Sequence, residues 1–233
     1  MNDLIFFDKE LTLWLNSFYN DYFDIFFHLY TSTLTWIPLY VVLAWVIFCR
    51  QGANGIGTVF FIALLITAAD QTASSIIKPL VERYRPSHDS VLQYMVHLVN
   101  GYSGGRFGFV SSHAANTFAL ATFLSLVIRN RFMSWTLFIW AAINCYSRIY
   151  CGVHFVGDIV CGALIGVIFA AIAYQLYLMA SLKFFVISHH NKRTLINGLS
   201  DMFGVEAPMI FAFTFWLILA VLLICTKLMV GFH

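Results

Sequence analysis

Six long apolar stretches constrain this chain more than any other feature; they cover approximately residues 23–49, 57–77, 114–128, 132–150, 155–182 and 207–230. Each is close to the roughly 20 residues a helix needs to cross a bilayer, allowing for tilt and frayed ends. Little is left to build a water-facing surface. The chain is 61% hydrophobic and 10% charged, whereas soluble domains are about one quarter charged. Hydrocarbon offers the backbone no hydrogen-bond partners, so spanning segments must satisfy their own N–H and C=O groups, as helices do. The expected fold is therefore all-α: a polytopic membrane bundle of about six transmembrane helices, read as one domain over 1–233 with the bundle at 23–230.

Ahead of the first span, Leu4, Phe7, Leu11, Trp14, Leu15 and Phe18 share one helical face, with Asp3, Asp8, Lys9, Glu10, Thr12 and Asn16 mostly elsewhere. That pattern predicts an interfacial helix over 1–20, lying flat on the membrane or, equally well, capping the bundle. Tyr19, Tyr22, Trp36, Trp135 and Trp216 fall near expected span ends, where aromatic belts sit. The opening Met-Asn-Asp has no basic region before an apolar run, which predicts a mature chain starting near Met1. The net charge of +2 and the lack of a polybasic run argue against a nucleic-acid partner. Cys49, Cys145, Cys151, Cys161 and Cys225 have no CxxC or metal-ligand spacing and read as small buried hydrophobes. No metal site and no cofactor are expected, and nothing in the sequence sets an oligomeric state.

Three polar clusters interrupt the apolar pattern: KPLVERYRP from Lys78 to Pro86, SSH from Ser111 to His113, and SRIYCGVHFVGD from Ser147 to Asp158. All fall on one face of the expected bundle, at the ends of spans two and four and the starts of spans three and five. The other face carries Arg50, Arg129, Arg131, Lys183, Lys192 and Arg193, so the positive-inside rule puts the motif face, with a loop over 82–112, outside the cytoplasm. The localisation expected is an inner or plasma membrane.

Ionisable groups at membrane depth are costly and usually functional. His154 and Asp158 are four apart, a spacing that lets a carboxylate hold one imidazole nitrogen and free the other to attack. Lys78, Arg85 and Arg148 could converge with nothing nearby to neutralise them; their planar forks and point charge suit a tetrahedral oxyanion such as phosphate. His113 is available as general acid, with Ser111 and the backbone N–H groups of Ser112 and His113 as uncharged donors at a helix N-terminus.

These residues resemble the type 2 phosphatidic acid phosphatase superfamily, whose signature reads KxxxxxxRP, PSGH and SRxxxxxHxxxD. The chain matches it with Lys78 and Arg85-Pro86, Val110 to His113, and Ser147-Arg148 with His154 and Asp158; Val110 and Ser112 replace the usual proline and glycine. The resemblance implies a metal-independent membrane phosphatase in which His154 attacks phosphorus, Asp158 orients it, and His113 protonates the departing oxygen. Lys78, Arg85, Ser111, Ser112 and Arg148 would hold the phosphoryl oxygens. The partners implied are a lipid phosphate substrate and membrane lipids. Family breadth and outward orientation favour undecaprenyl diphosphate, with lipid A, phosphatidylglycerophosphate and phosphatidic acid as alternatives. A vanadate-dependent haloperoxidase and, in another class, a phospholipid or ion transporter compete, although a transport path would spread its polar groups through the membrane depth.

Other polar residues carry weaker readings. Arg83, Arg106 and Arg129 read as snorkelling anchors. Asp70 and Ser74, on one helical face with Lys78, either position that lysine or bond a neighbouring helix. His88, His97 and the glycine-rich stretch 101–108 lie in a loop long enough to be a lid, and His189 and His190 read as polar linker.

Overall fold

The computed structural model of the protein describes residues 2–184 and 206–231. Among these, every extended element is a helix: α1 (Asn2–Asn16), α2 (Asp21–Tyr30), α3 (Thr33–Gln51), α4 (Gly55–Gln71), α5 (Lys78–Val81), α6 (Ser112–Ile128), α7 (Arg131–Tyr150), α8 (Val156–Phe184) and α9 (Ala207–Val230). A π-helical stretch, Thr72–Ile77, joins α4 to α5 without a break. The continuous stretch Thr33–Val81, α8 and α9 are long and apolar enough to cross a membrane. α6 is shorter at 17 residues, about 25 Å of helix. The protein is an integral membrane helix bundle. Lys192, Arg193, His189 and His190 lie outside the described residues.

The structure departs from the sequence reading at span one, which is two helices. α2 stops at Tyr30, and Ser32 stands in extended backbone as the N-cap of α3. The Thr31–Thr33 stretch is poor helix former, and two donors from α3 replace the lost helical bonds: Thr35 Oγ1 to Leu29 O and Trp36 Nε1 to Tyr30 O, both 2.7 Å. Two cysteines also depart from expectation, Cys225 being exposed and Cys161 half-buried, whereas Cys49, Cys145 and Cys151 are buried.

The tightest helix pair is α6 with α8. A Cβ at Gly162 or Gly166 would overlap the backbone carbonyl of Ser111 or Ala115, and Ala114, Ala115 and Ala119 are fully buried. This small-residue seam lets two backbones meet where lipid supplies no hydrophobic drive. It brings the start of α6 beside the start of α8, joining two of the three polar clusters.

α1 sits across the same end of the bundle. Its inward side carries buried Thr12 and Asn16 beside half-buried Leu15, which packs against the cluster of Cys145 and Ile149, while Leu4, Phe7 and Trp14 are exposed. Asn16 Nδ2 donates to the carbonyls of Ile149 and Tyr150, closing the C-terminus of α7. The helix caps the bundle with its Thr12 and Asn16 side and leaves Leu4, Phe7 and Trp14 exposed.

Candidate active site

α8 begins one residue after Phe155, and Asp158 in its first turn reaches back to the Phe155 N–H at 3.1 Å. That is the carboxylate half of a capping box. The same oxygen, Oδ2, receives His154 Nδ1 at 3.3 Å. His154 therefore stands just before the helix, not on it, and the contact survives because the carboxylate folds back over the helix start. With Nδ1 engaged, Nε2 is the nitrogen left for chemistry. Burial pushes the His154 imidazole down to about 4, against the pull of Asp158 and with Arg85 adding to the depression. It is neutral at neutral pH, as a nucleophile must be.

Around it lies a cavity of about 690 Å3. Lys78, Arg85, Arg148, Ser112, His113 and His154 line one part; Trp36, Leu43, Ile62, Ile66 and Leu120 are among the apolar residues that line another, with polar groups such as Asp70 and Asn116 between them. One end is cationic and the other apolar. Lys78 Nζ donates to Ser112 Oγ at 2.7 Å, and Ser112 Oγ is 2.8 Å from Ser74 Oγ. Arg85 is held by the carbonyls of Phe107 and Val153. Arg148 is buried, and its Nε has no partner. None of these three cations is in an ion pair among the described residues. Buried charge left without a counter-ion is expensive, and an anionic ligand in the cavity would supply the missing charge.

Several expected residues are placed differently. Ser111 does not line this cavity: it is buried, its Oγ caps α6 by accepting from the Ala114 N–H at 3.4 Å, and its N–H donates to Asp158 O. The capping need of the helix claims that hydroxyl, and Ser112 presents its own instead. Asp70 lines the cavity but bonds Asn116 Nδ2 at 3.1 Å on the neighbouring helix, while Ser74 is the residue linked to Lys78 through Ser112. In the long loop, His97 is tied to Asp24 and stacked on Tyr19, and the loop contributes Arg85 and Tyr102 to the cavity.

Arg83 is no membrane anchor. Its Nη1 donates to Asp158 Oδ1 at 3.0 Å and its Nη2 to Asp8 Oδ2 at 2.6 Å. Sequence reasoning missed Asp8, Arg83 and Tyr102. The signal for the first was present, since Asp8, Thr12 and Asn16 repeat every four residues beside the apolar face of α1.

The PAP2 superfamily profile matches residues 58–182, a span that holds every motif from Lys78 to Asp158. The chain belongs to the PAP2 superfamily. Two relatives described as lipid A 4'-phosphatases, from Bacteroides thetaiotaomicron and Porphyromonas gingivalis, are 40% and 36% identical to it. The first alignment covers 68% of this chain and 72% of the relative, the second 74% of each. The crystal structure of Aquifex aeolicus LpxE superposes with a TM-score of 0.54 at 28% identity, covering 71% of this chain and 93% of that one. A PAP2-type phosphatidylglycerolphosphate phosphatase from Bacillus subtilis shares the fold, with a TM-score of 0.54 at 21% identity over 79% of this chain and 89% of that one. This PAP2 member is a hydrolase of phosphate esters carried on lipids.

Proposed function

We propose that the protein removes a phosphate from a lipid A type glycolipid through a phosphohistidine on His154. The observation that carries the reading is the cavity itself, whose unneutralised cations adjoin an apolar wall. An amphiphile fits both ends, its phosphate among Lys78, Arg85 and Arg148 and apolar parts of the lipid against Trp36, Ile62 and Leu120. The names of the two curated relatives favour lipid A over the undecaprenyl diphosphate that family breadth suggested.

In this mechanism neutral His154 Nε2 attacks phosphorus, and the bond from phosphorus to the lipid oxygen breaks. His113, protonated once the bound phosphate anion offsets the neighbouring cations, gives that oxygen its proton. Asp158 stabilises the imidazolium character that develops on His154. Water then attacks the phosphohistidine with His113 as base; the P–N bond breaks and inorganic phosphate leaves. Side-chain cations meet the charge on the phosphoryl oxygens, which is most of what such transfer needs. The proposed orientation keeps the cavity on the non-cytoplasmic side, opposite Arg50, Arg129 and Arg131.

The test is a head-to-head panel on purified protein in EDTA: lipid A, undecaprenyl diphosphate, phosphatidylglycerophosphate and phosphatidic acid. Lipid A should give the highest kcat/KM. Faster turnover of undecaprenyl diphosphate would overturn the substrate reading, and loss of all turnover in EDTA would overturn the mechanism. An impermeant thiol reagent should label a cysteine placed at Ser90 in intact cells; labelling only after lysis would reverse the orientation.

A further inference from the structure

Behind the nucleophile, a chain of charge runs outward to the N-terminal helix. Asp158 is fully buried. Its Oδ2 holds His154 and the Phe155 N–H, and its Oδ1 takes one fork of the Arg83 guanidinium. The other fork goes to Asp8, and the guanidinium plane lies 4.0 Å from the centre of the Phe155 ring.

α1 does more than hold Arg83. Asp8 Oδ1 accepts the Gly157 N–H at 2.8 Å, and Thr12 Oγ1 accepts the Val156 N–H at 3.1 Å. These are orphan donors at the start of α8. One turn further along α1, Asn16 closes the last carbonyls of α7. A single polar stripe, Asp8, Thr12 and Asn16, thus fastens both ends of the connection that carries His154. Gly157 is part of the fit, because a Cβ there would lie 2.9 Å from Asp8 Oδ2. The superfamily match covers residues 58–182, so Asp8, Thr12 and Asn16 lie outside it while Arg83 and the start of α8 lie within.

We propose that Asp8 and Arg83 are positioning residues, through which α1 fixes the Asp158 carboxylate and hence the angle of the His154 ring. The inference rests on the reading of His154 as nucleophile. A carboxylate held from three directions cannot swing, and a guanidinium is the side chain that can join two carboxylates in a fixed plane. Loss of either partner lets Asp158 and the imidazole rotate, and misplacement by about 1 Å costs on the order of a hundredfold.

The test measures phosphate release from a short-chain phosphatidic acid in detergent. Asp8→Asn keeps an acceptor for Gly157 and removes the charge that holds Arg83; kcat should fall about tenfold, and Arg83→Gln should lower it about a hundredfold. KM and competitive inhibition by inorganic phosphate should stay within about twofold of wild type, because the cavity cations are untouched. Asp8→Asn added to Arg83→Gln should cost almost nothing more, as residues in one chain are not additive. Wild-type kcat in both single variants, losses that multiply, or a KM that rises in step with the fall in kcat would each overturn the proposal. Where Arg83→Gln does not fold, Arg83→Lys decides: it keeps the charge and loses the fork, so kcat should fall, and wild-type kcat refutes the role. His154→Ala runs in parallel. Undiminished turnover there sinks the nucleophile itself; an inactive His154→Ala beside unaffected Asp8 and Arg83 variants sinks this inference alone.

Discussion

Two groups of charged residues share one end of this bundle and are solved in opposite ways. Behind His154, Arg83 is paired with Asp8 and Asp158, and Lys9 with Asp89. In front of it, Lys78, Arg85 and Arg148 face the cavity with no carboxylate in ion-pair contact among the described residues. The first arrangement is complete as it stands. The second is complete only when an anion is present, and the difference marks which charges serve the fold and which serve the ligand.

Replacing one arginine from each group should therefore move stability in opposite directions. Arg148→Met removes a buried cation that has no ion pair among the described residues and keeps similar length, so the melting temperature should hold or rise. Phosphate release should fall by about 10²–10³, the usual cost of one lost donor to a developing oxyanion. Arg83→Met strands the buried Asp158 carboxylate, and breaking such a pair typically costs about 3–5 kcal/mol. A lower melting temperature for Arg148→Met than for Arg83→Met would collapse the distinction between the groups.

His154 stands between them, and its pH behaviour reports which group dominates. Burial and the cavity cations depress its pKa to about 4, while Asp158 pulls the other way. A depressed histidine stays neutral to lower pH. The acid limb of kcat/KM should therefore lie near pH 4 once the ionisation of the substrate phosphate is subtracted, and the protein loses nucleophile as pH falls through that value. A limb at the ordinary histidine value of about 6.5 would mean that the pull of Asp158 prevails.

The cavity group was legible in the sequence because each member sits in a spaced motif of residues that hydrocarbon does not tolerate without cause. Lys78, Arg85, Arg148, His113 and His154 all reach the cavity. The paired group was not legible, for two physical reasons. Its partners are far apart in sequence, and a helix with an apolar face looks the same whether that face turns inward or outward. α1 turns Leu4, Phe7 and Trp14 outward, so Asp8, Thr12 and Asn16 became contacts beside Leu15. Ser111 caps α6 and does not line the cavity; a serine before a helix can cap it or bind a ligand, and only geometry separates the two. The break at Ser32 was hidden inside an apolar run. The seam of Gly162 and Gly166 had a readable spacing, and it fixes both groups against one another through α6 and α8.

The smallest expected effect tests how far the paired group extends. Lys9 neighbours Asp8 on α1, and its Nζ lies 2.6 Å from Asp89 Oδ2. Burial pushes the Asp89 carboxyl up, but Lys9 and the N–H groups of Leu92 and Val91 prevail and hold it below its usual value. With side chains 33% and 15% exposed, the pair contributes about 0.5 kcal/mol. Lys9→Met should lower the melting temperature by about 1–2 °C. A depressed carboxyl contributes above its unfolded pKa, so the difference from wild type should persist at neutral pH and vanish as Asp89 is protonated below the ordinary carboxylate value. Salt at about 1 M should shrink it as well. Turnover should stay within about twofold, because Asp89 does not touch the Asp8, Arg83 and Asp158 chain. A kcat loss equal to that of Asp8→Asn would show instead that seating α1 as a whole, rather than its one carboxylate, sets the nucleophile.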